Sequence, residues 1–176
     1  MNGGRRRRRQ LVAGAIALAL AAFAAATALL FVWPATDRPG SADAVVVLGG
    51  DGARRALGEA LVRDGVAGTL AVSVGSPYDP CYRERRPYHV ICFRAQPETT
   101  QGEGRWIGTM AKAAGWRRVV VVVSAPQATR ARVRIRRCYT QGLEVAAVHV
   151  GAGRILRDTV YEWGALLKAL TIQRGC

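Results

Sequence analysis

Apart from two lysines, the basic side chains of this chain are all arginines, and its cysteines form no metal-binding pair. The exceptions among its 26 basic residues are Lys112 and Lys168. The four cysteines contain no Cys-x-x-Cys spacing, so no metal site is predicted. The two histidines, His89 and His149, fall in predicted strands and do not combine with a serine and an aspartate into a catalytic triad.

Charge is absent from residues Leu11–Trp33, which follow five consecutive arginines, Arg5–Arg9. As a helix these 23 residues would be about 34 Å long, enough to cross a hydrocarbon core of about 30 Å. Positive charge favours the cytoplasmic side. We therefore predict a basic cytoplasmic N-terminus (1–10), a single transmembrane anchor (11–33), a linker (34–42) and an extracytoplasmic domain (43–176) in the cell membrane.

Two alternatives for this segment stay open. The small residues Ala26–Ala28 would permit cleavage of a secretory signal, although the apolar run is longer than the usual 7–15 residues. Residues Arg8–Val12 loosely fit a twin-arginine export signal. Each alternative also places the rest of the chain outside the cytoplasm.

The chain is strongly basic, with a formal net charge of +14, of which residues 41–176 carry +9. A basic domain often binds nucleic acid, but this one is predicted outside the cytoplasm and has no aromatic residues interleaved with its arginines. We exclude nucleic acid as a partner. Anionic lipid headgroups and a phosphorylated or polyprenyl-linked envelope intermediate are the predicted partners.

The even number of cysteines predicts two disulfides in an oxidising compartment. Three pairings are open. We favour Cys81–Cys92, which closes a short loop, and Cys138–Cys176, which ties the tail to the domain.

Strands and helices alternate after the linker. Short apolar runs predict five strands near residues 43–48, 70–74, 90–93, 118–123 and 143–150, and helical spacing predicts helices near 54–64, 100–114 and 158–170. Residues Arg130–Arg137 fit a strand or a helix, and we choose a helix because parallel neighbours need a crossover. The predicted fold is an α/β, Rossmann-like three-layer sandwich with a mostly parallel five-stranded sheet of order 3-2-1-4-5.

The loops at the carboxyl ends of these strands are the predicted binding site. Glycines after the first strand offer backbone N–H groups to a phosphate, or simply form a tight turn. The hydroxyl residues either bind a ligand or cap helices, and Glu103 is the candidate catalytic acid or base. The predicted ligand-binding residues are Gly49, Gly50, Asp51, Gly52, Arg54, Ser76, Thr100, Ser124, Gln127 and Arg130.

The same loops carry a resemblance to a known family. The residues are Ala44–Gly50, Gly75-Ser76, Thr99–Glu103, Val122–Ser124 with Arg130–Arg132, and Glu162 in the last helix. In their order and spacing these segments resemble the DUF218 (YdcF-like, SanA/ElyC-like) family. The resemblance implies a Rossmann-like, membrane-anchored protein of cell-envelope biogenesis, linked to peptidoglycan or lipid-carrier metabolism.

Two positions depart from the family pattern. Gln127 stands where the family often has a histidine, and Arg94 stands where it usually has an acid. As an enzyme the protein would be a phosphoryl or glycosyl hydrolase or transferase. The alternative is a non-catalytic envelope binding or scaffold protein that retains the fold, and the two departures favour it. The sequence predicts no particular cofactor.

Overall fold

The computed structural model describes residues 3–49, 52–83 and 85–176. Its strands are β1 Ala44–Val47, β2 Thr69–Ser73, β3 His89–Phe93, β4 Arg118–Ser124 and β5 Gly142–Val148. Its α-helices are α1 Gly3–Thr27, α2 Gly52–Arg63, α3 Thr100–Ala114, α4 Ala128–Ile135 and α5 Ala152–Thr171. Three short turns join them: a π-helical turn at Ala28–Val32 and 3-10 turns at Pro80–Tyr82 and Ala125–Gln127.

The five strands form one parallel sheet of order β3-β2-β1-β4-β5. The predicted α/β fold and strand order are therefore confirmed. The valine runs of β1 and β4 are fully buried because helices cover both faces of the sheet. Alternate valines of β1 and β4 point to opposite layers, so that Val46 and Val121 face one core and Val45 and Val120 the other.

Helix α2 packs directly on one face of the sheet. Gly58 permits this close approach, because a Cβ there would overlap the side chain of Val47. Helices α3 and α4 cover the other face, through buried residues such as Ile107 and Ile135. Residues 130–135 are helical, as we chose from the crossover argument.

The last helix begins earlier than predicted. It starts at Ala152 instead of Asp158, and the fifth strand ends at Val148, so His149 lies just beyond it. Helix α5 packs on α4 and on the turn Ala28–Val32. Its buried side chains, Thr159, Glu162, Leu166 and Ala169, form this packing surface.

Helix α1 is long and apolar enough to cross a membrane by length and composition, with a mean hydropathy of 2.5. Its side chains from Arg5 to Ala25 are exposed, but the end of the apolar run is packed on the domain. Phe31 is fully buried, and the Thr129 hydroxyl donates to the Leu30 carbonyl at 2.7 Å. The C-terminal end of the predicted span is thus part of the folded body.

The predicted linker is also fixed to the domain. The Asp37 backbone N–H donates to the carbonyl of Val145 in β5, and its carboxylate accepts from the Val145 N–H. Arg132 forms an ion pair with the same carboxylate at 2.8 Å. These bonds cover the edge strand β5.

Both favoured disulfides, Cys81–Cys92 and Cys138–Cys176, are present. The second one brings the C-terminus to α3, where Arg105 donates to the Cys176 carbonyl at 2.9 Å. The predicted pairing is confirmed.

Candidate functional site

A cleft of about 410 Å³ opens at the carboxyl edge of the sheet. The ends of β1 and β2, the loop after β3, the first turns of α3 and α4, the turn after β4 and one residue of α5 form its walls. The lining residues are Gly49, Ser73, Val74, Gly75, Ala95, Glu98, Thr99, Thr100, Glu103, Gln127, Arg130 and Tyr161. The position is the one where parallel α/β sheets bind ligands.

Glu103 stands at the base of this cleft and is only 7% exposed. Its Oε1 accepts a hydrogen bond from the Gly49 N–H at 2.8 Å, and the Ser73 hydroxyl bonds to the same carboxyl group. Burial raises the pKa of Glu103 above its usual value, more than these hydrogen bonds and the nearby charges of Arg54 and Arg130 lower it. A buried carboxyl group whose pKa is raised in this way is a candidate general acid or base.

A threonine caps the start of α3, one of the two roles expected of the hydroxyl residues. The N-cap is Thr99, whose side chain accepts from the Gly102 N–H at 3.4 Å. The Glu103 backbone N–H donates to the Thr99 carbonyl at 2.9 Å, while its carboxylate accepts from the Gly49 N–H. This tertiary contact places the carboxylate in the cleft.

Arg130 is fixed in the cleft wall by Glu162 of α5. Its Nε and Nη2 donate to the two oxygens of Glu162 at 2.6 and 2.8 Å, and its Nη1 donates to the Thr100 hydroxyl at 2.8 Å. The side chains of Arg130 and Glu162 are 11% and 1% exposed. Burial lowers the pKa of Arg130, but the hydrogen bonds to Glu162 and its charge outweigh burial. The pKa is raised, and the guanidinium stays charged.

A second arginine, Arg54, holds Gln127 of the cleft lining from α2 without lining the cleft itself. Arg54 is buried in α2, and its Nη1 donates to the Gln127 side chain at 2.8 Å. Gln127 ends the turn Ala125–Gln127 that follows β4, so this bond joins α2 to the turn that leads into α4 and Arg130. With its oxygen accepting from an arginine, Gln127 acts as a positioning side chain here.

The structure brings together five of the predicted site residues in the cleft lining: Gly49, Thr100, Glu103, Gln127 and Arg130. Four others do not line it. Gly52 and Arg54 begin α2, the Ser76 hydroxyl accepts from the Tyr78 N–H, and Ser124 is buried at the end of β4. The predicted Gly50 and Asp51 lie outside the described residues.

Several residues of the cleft were missed from the sequence. Ser73 ends β2, one residue before the predicted end of that strand, and its position at a strand's carboxyl end was the available signal. Tyr161 lies on α5, far along the chain, and no local pattern indicated it. Glu98 faces the cleft and pairs with Arg94 at 2.5 Å.

No group of three or more histidine, cysteine, aspartate or glutamate side chains is close enough to hold a metal ion in residues 3–49, 52–83 and 85–176. The cleft presents one buried carboxyl group, Glu103, the guanidinium group of Arg130 and the start of α3. This set fits the recognition of an anion with at least one hydrogen-bond-accepting oxygen.

Comparisons with protein-family models, with curated proteins and with solved structures find no match to this chain. The resemblance to the DUF218 family stays a prediction from the sequence motifs.

Proposed function

We propose that this is a single-pass membrane protein whose α/β domain lies outside the cytoplasm and binds a phosphorylated or polyprenyl-linked envelope intermediate in the cleft. The observation that carries the proposal is the convergence of Glu103, Arg130 and the N-terminus of α3 at one edge of the sheet. Helix N-termini and guanidinium groups favour anions. Burial raises the pKa of Glu103, which favours the neutral carboxyl form beside a bound anion.

The proposed location has two further supports. The run Arg5–Arg9 precedes the uncharged run Leu11–Trp33, which favours a cytoplasmic N-terminus. Two disulfides are typical of domains outside the cytoplasm. A periplasm-active reporter fused after Cys176 tests the topology: we expect activity from it, and activity from a cytoplasm-active reporter alone would contradict the proposed orientation.

Ligand recognition is tested by thermal unfolding of the full chain in detergent with a polyprenyl phosphate or the matched polyprenol. At 100 times its dissociation constant the phosphate form should stabilise the fold by about 2.7 kcal/mol. We expect Thr100→Val to reduce this stabilisation, because Arg130 then loses its hydroxyl partner in the cleft. Thr109→Val is the matched control, since Thr109 is exposed further along α3. Equal stabilisation by polyprenol would show that the phosphate is not recognised.

A non-catalytic binding or scaffold role is the second candidate, and two contacts favour it. Gln127 is engaged with Arg54, and the charge of Arg130 is balanced by Glu162. Glu103→Gln separates the two candidates. In an enzyme the variant abolishes release of inorganic phosphate from a polyprenyl diphosphate while the protein still folds. In a binder neither protein releases phosphate, and the variant retains stabilisation by the ligand.

A further inference from the structure

Helix α5 exposes an apolar face that no part of the described chain covers. Val160 and Leu167 are 72% and 61% exposed, and Leu170 is 48% exposed. Val160, Gly164 and Leu167 are spaced four and three residues apart, so they lie on one side of the helix. Arg157, Tyr161 and Lys168 form the neighbouring stripe, and all three are exposed.

This face is continuous with the proposed membrane anchor. The ring of Phe23 in α1 stacks on Trp163 of α5, with ring centroids 5.3 Å apart, and the indole N–H donates to the Thr27 hydroxyl at 3.2 Å. Phe31 packs edge-on against the same indole. An open apolar groove of about 540 Å³ lies between the two helices. Its lining residues are Phe23, Val160, Trp163, Gly164, Leu166, Leu167 and Leu170.

The length of the proposed anchor sets how deep in the membrane Phe23 and Thr27 contact Trp163. Twenty residues from Leu11 span about 30 Å and end at Leu30, close to the outer edge of the hydrocarbon core. On that scale Thr27 lies about 5 Å and Phe23 about 10 Å inside that edge. Trp163 contacts both residues, so the apolar face of α5 must enter the outer leaflet with them.

We propose that α5 lies in the boundary between headgroups and acyl chains of the membrane that α1 crosses. The apolar face, Val160, Gly164 and Leu167, contacts acyl chains, and the basic stripe with Arg157 and Lys168 contacts anionic phosphate headgroups. A depth of about 5–10 Å is typical of amphipathic helices in an interface. This inference rests on the proposed function only in requiring that α1 spans the membrane.

The orientation places the cleft at the membrane surface. Tyr161 lines the cleft and directly follows Val160 of the lipid-facing side. A ligand whose phosphate lies in the cleft thus has its lipid chain beside the acyl region, without leaving the bilayer.

Nitroxide labels test the inference, because all four native cysteines are in disulfides and a single introduced cysteine reacts alone. The full chain is reconstituted in vesicles of phosphatidylethanolamine and phosphatidylglycerol. The variants Val160→Cys and Leu167→Cys carry the label on α5, and Ile16→Cys carries it on α1 to report on the anchor. Lys112→Cys is exposed on α3 and serves as the aqueous control. Collision rates with oxygen and with a water-soluble nickel complex give each label's depth.

We expect residues 160 and 167 to lie about 5–10 Å below the headgroup phosphates and residue 112 to remain in water. If residue 16 is in the bilayer while residue 167 is as accessible to nickel as residue 112, α5 does not lie in the membrane interface and our inference is refuted. The proposal that α1 spans the membrane is then supported. If residues 16 and 167 are both accessible, the anchor itself is wrong, and the docking inference fails with it. Dipolar broadening between labels at residue 167 would show that a second copy covers the face, which also overturns the inference.

Discussion

Glu162→Gln is the sharpest test of how the cleft wall is held. Glu162 is 1% exposed and receives two hydrogen bonds from Arg130, whose side chain is 11% exposed. The substitution keeps the size of the side chain and removes its charge. The guanidinium of Arg130 is then left buried with Thr100 as a neutral partner.

Breaking a buried ion pair from one side costs about 3–5 kcal/mol, because the remaining charge stays desolvated. For a domain of this size, 1 kcal/mol corresponds to a shift of about 4 °C in Tm. We therefore expect Glu162→Gln to lower the Tm of the full chain in detergent by roughly 10–20 °C, measured by near-ultraviolet circular dichroism.

Two comparisons make this test specific. Glu59→Gln breaks the more exposed pair with Arg86, at 3.1 Å, and should cost no more than about 1 kcal/mol. Replacing both partners, Arg130→Met with Glu162→Leu, should recover most of the loss, because no charge is then buried. A loss in Glu162→Gln no larger than in Glu59→Gln, or a double variant as unstable as the single one, would refute the reasoning.

Three further predictions concern the same fold. Burial raises the pKa of Glu103, so its contribution to the free energy of unfolding is present below its ordinary pKa of 4.5 and is lost as pH rises through the raised value. Glu103→Gln should flatten this decline of stability with pH, measured by chemical denaturation. Gly102→Ala should destabilise the protein by about 3 kcal/mol or more, because its Cβ would overlap the Pro97 carbonyl oxygen. Replacing Cys138 and Cys176 by alanine opens a loop with a sequence separation of 38 and should cost about 4 kcal/mol of unfolding free energy.

Each of these three has an outcome that contradicts it. An unchanged pH profile in Glu103→Gln would show that this carboxyl group is not the titrating one. Gly164→Ala is the control for Gly102→Ala, since no atom lies near its Cβ, and it should stabilise α5 by about 1 kcal/mol. Equal effects of the two alanines would contradict the steric argument. The Cys81–Cys92 pair closes a shorter loop and should cost about 3 kcal/mol; a larger loss there than at Cys138–Cys176 would contradict the loop-length argument.

The sequence by itself determined the layered architecture, a parallel sheet with helices on both faces. Valine runs such as Val119–Val123 can be buried on both faces, which parallel strands between helices require. The crossover rule then assigned residues 130–135 to a helix, although their alternation also fits a strand. The even cysteine count and the uncharged run Leu11–Trp33 are equally local signals, and they predicted the disulfides and the apolar helix.

Only the tertiary structure decided which side chains meet. The carboxylate of Glu103 bonds to the backbone N–H of Gly49, 54 residues away. Arg130 forms an ion pair with Glu162 of α5, and Phe23 of the apolar helix α1 stacks on Trp163 of α5. Hydrophobic periodicity assigns a residue to a face of an element, but the partner on that face depends on how elements distant in sequence are brought together. The cleft and the contact between α5 and the apolar helix are products of that packing.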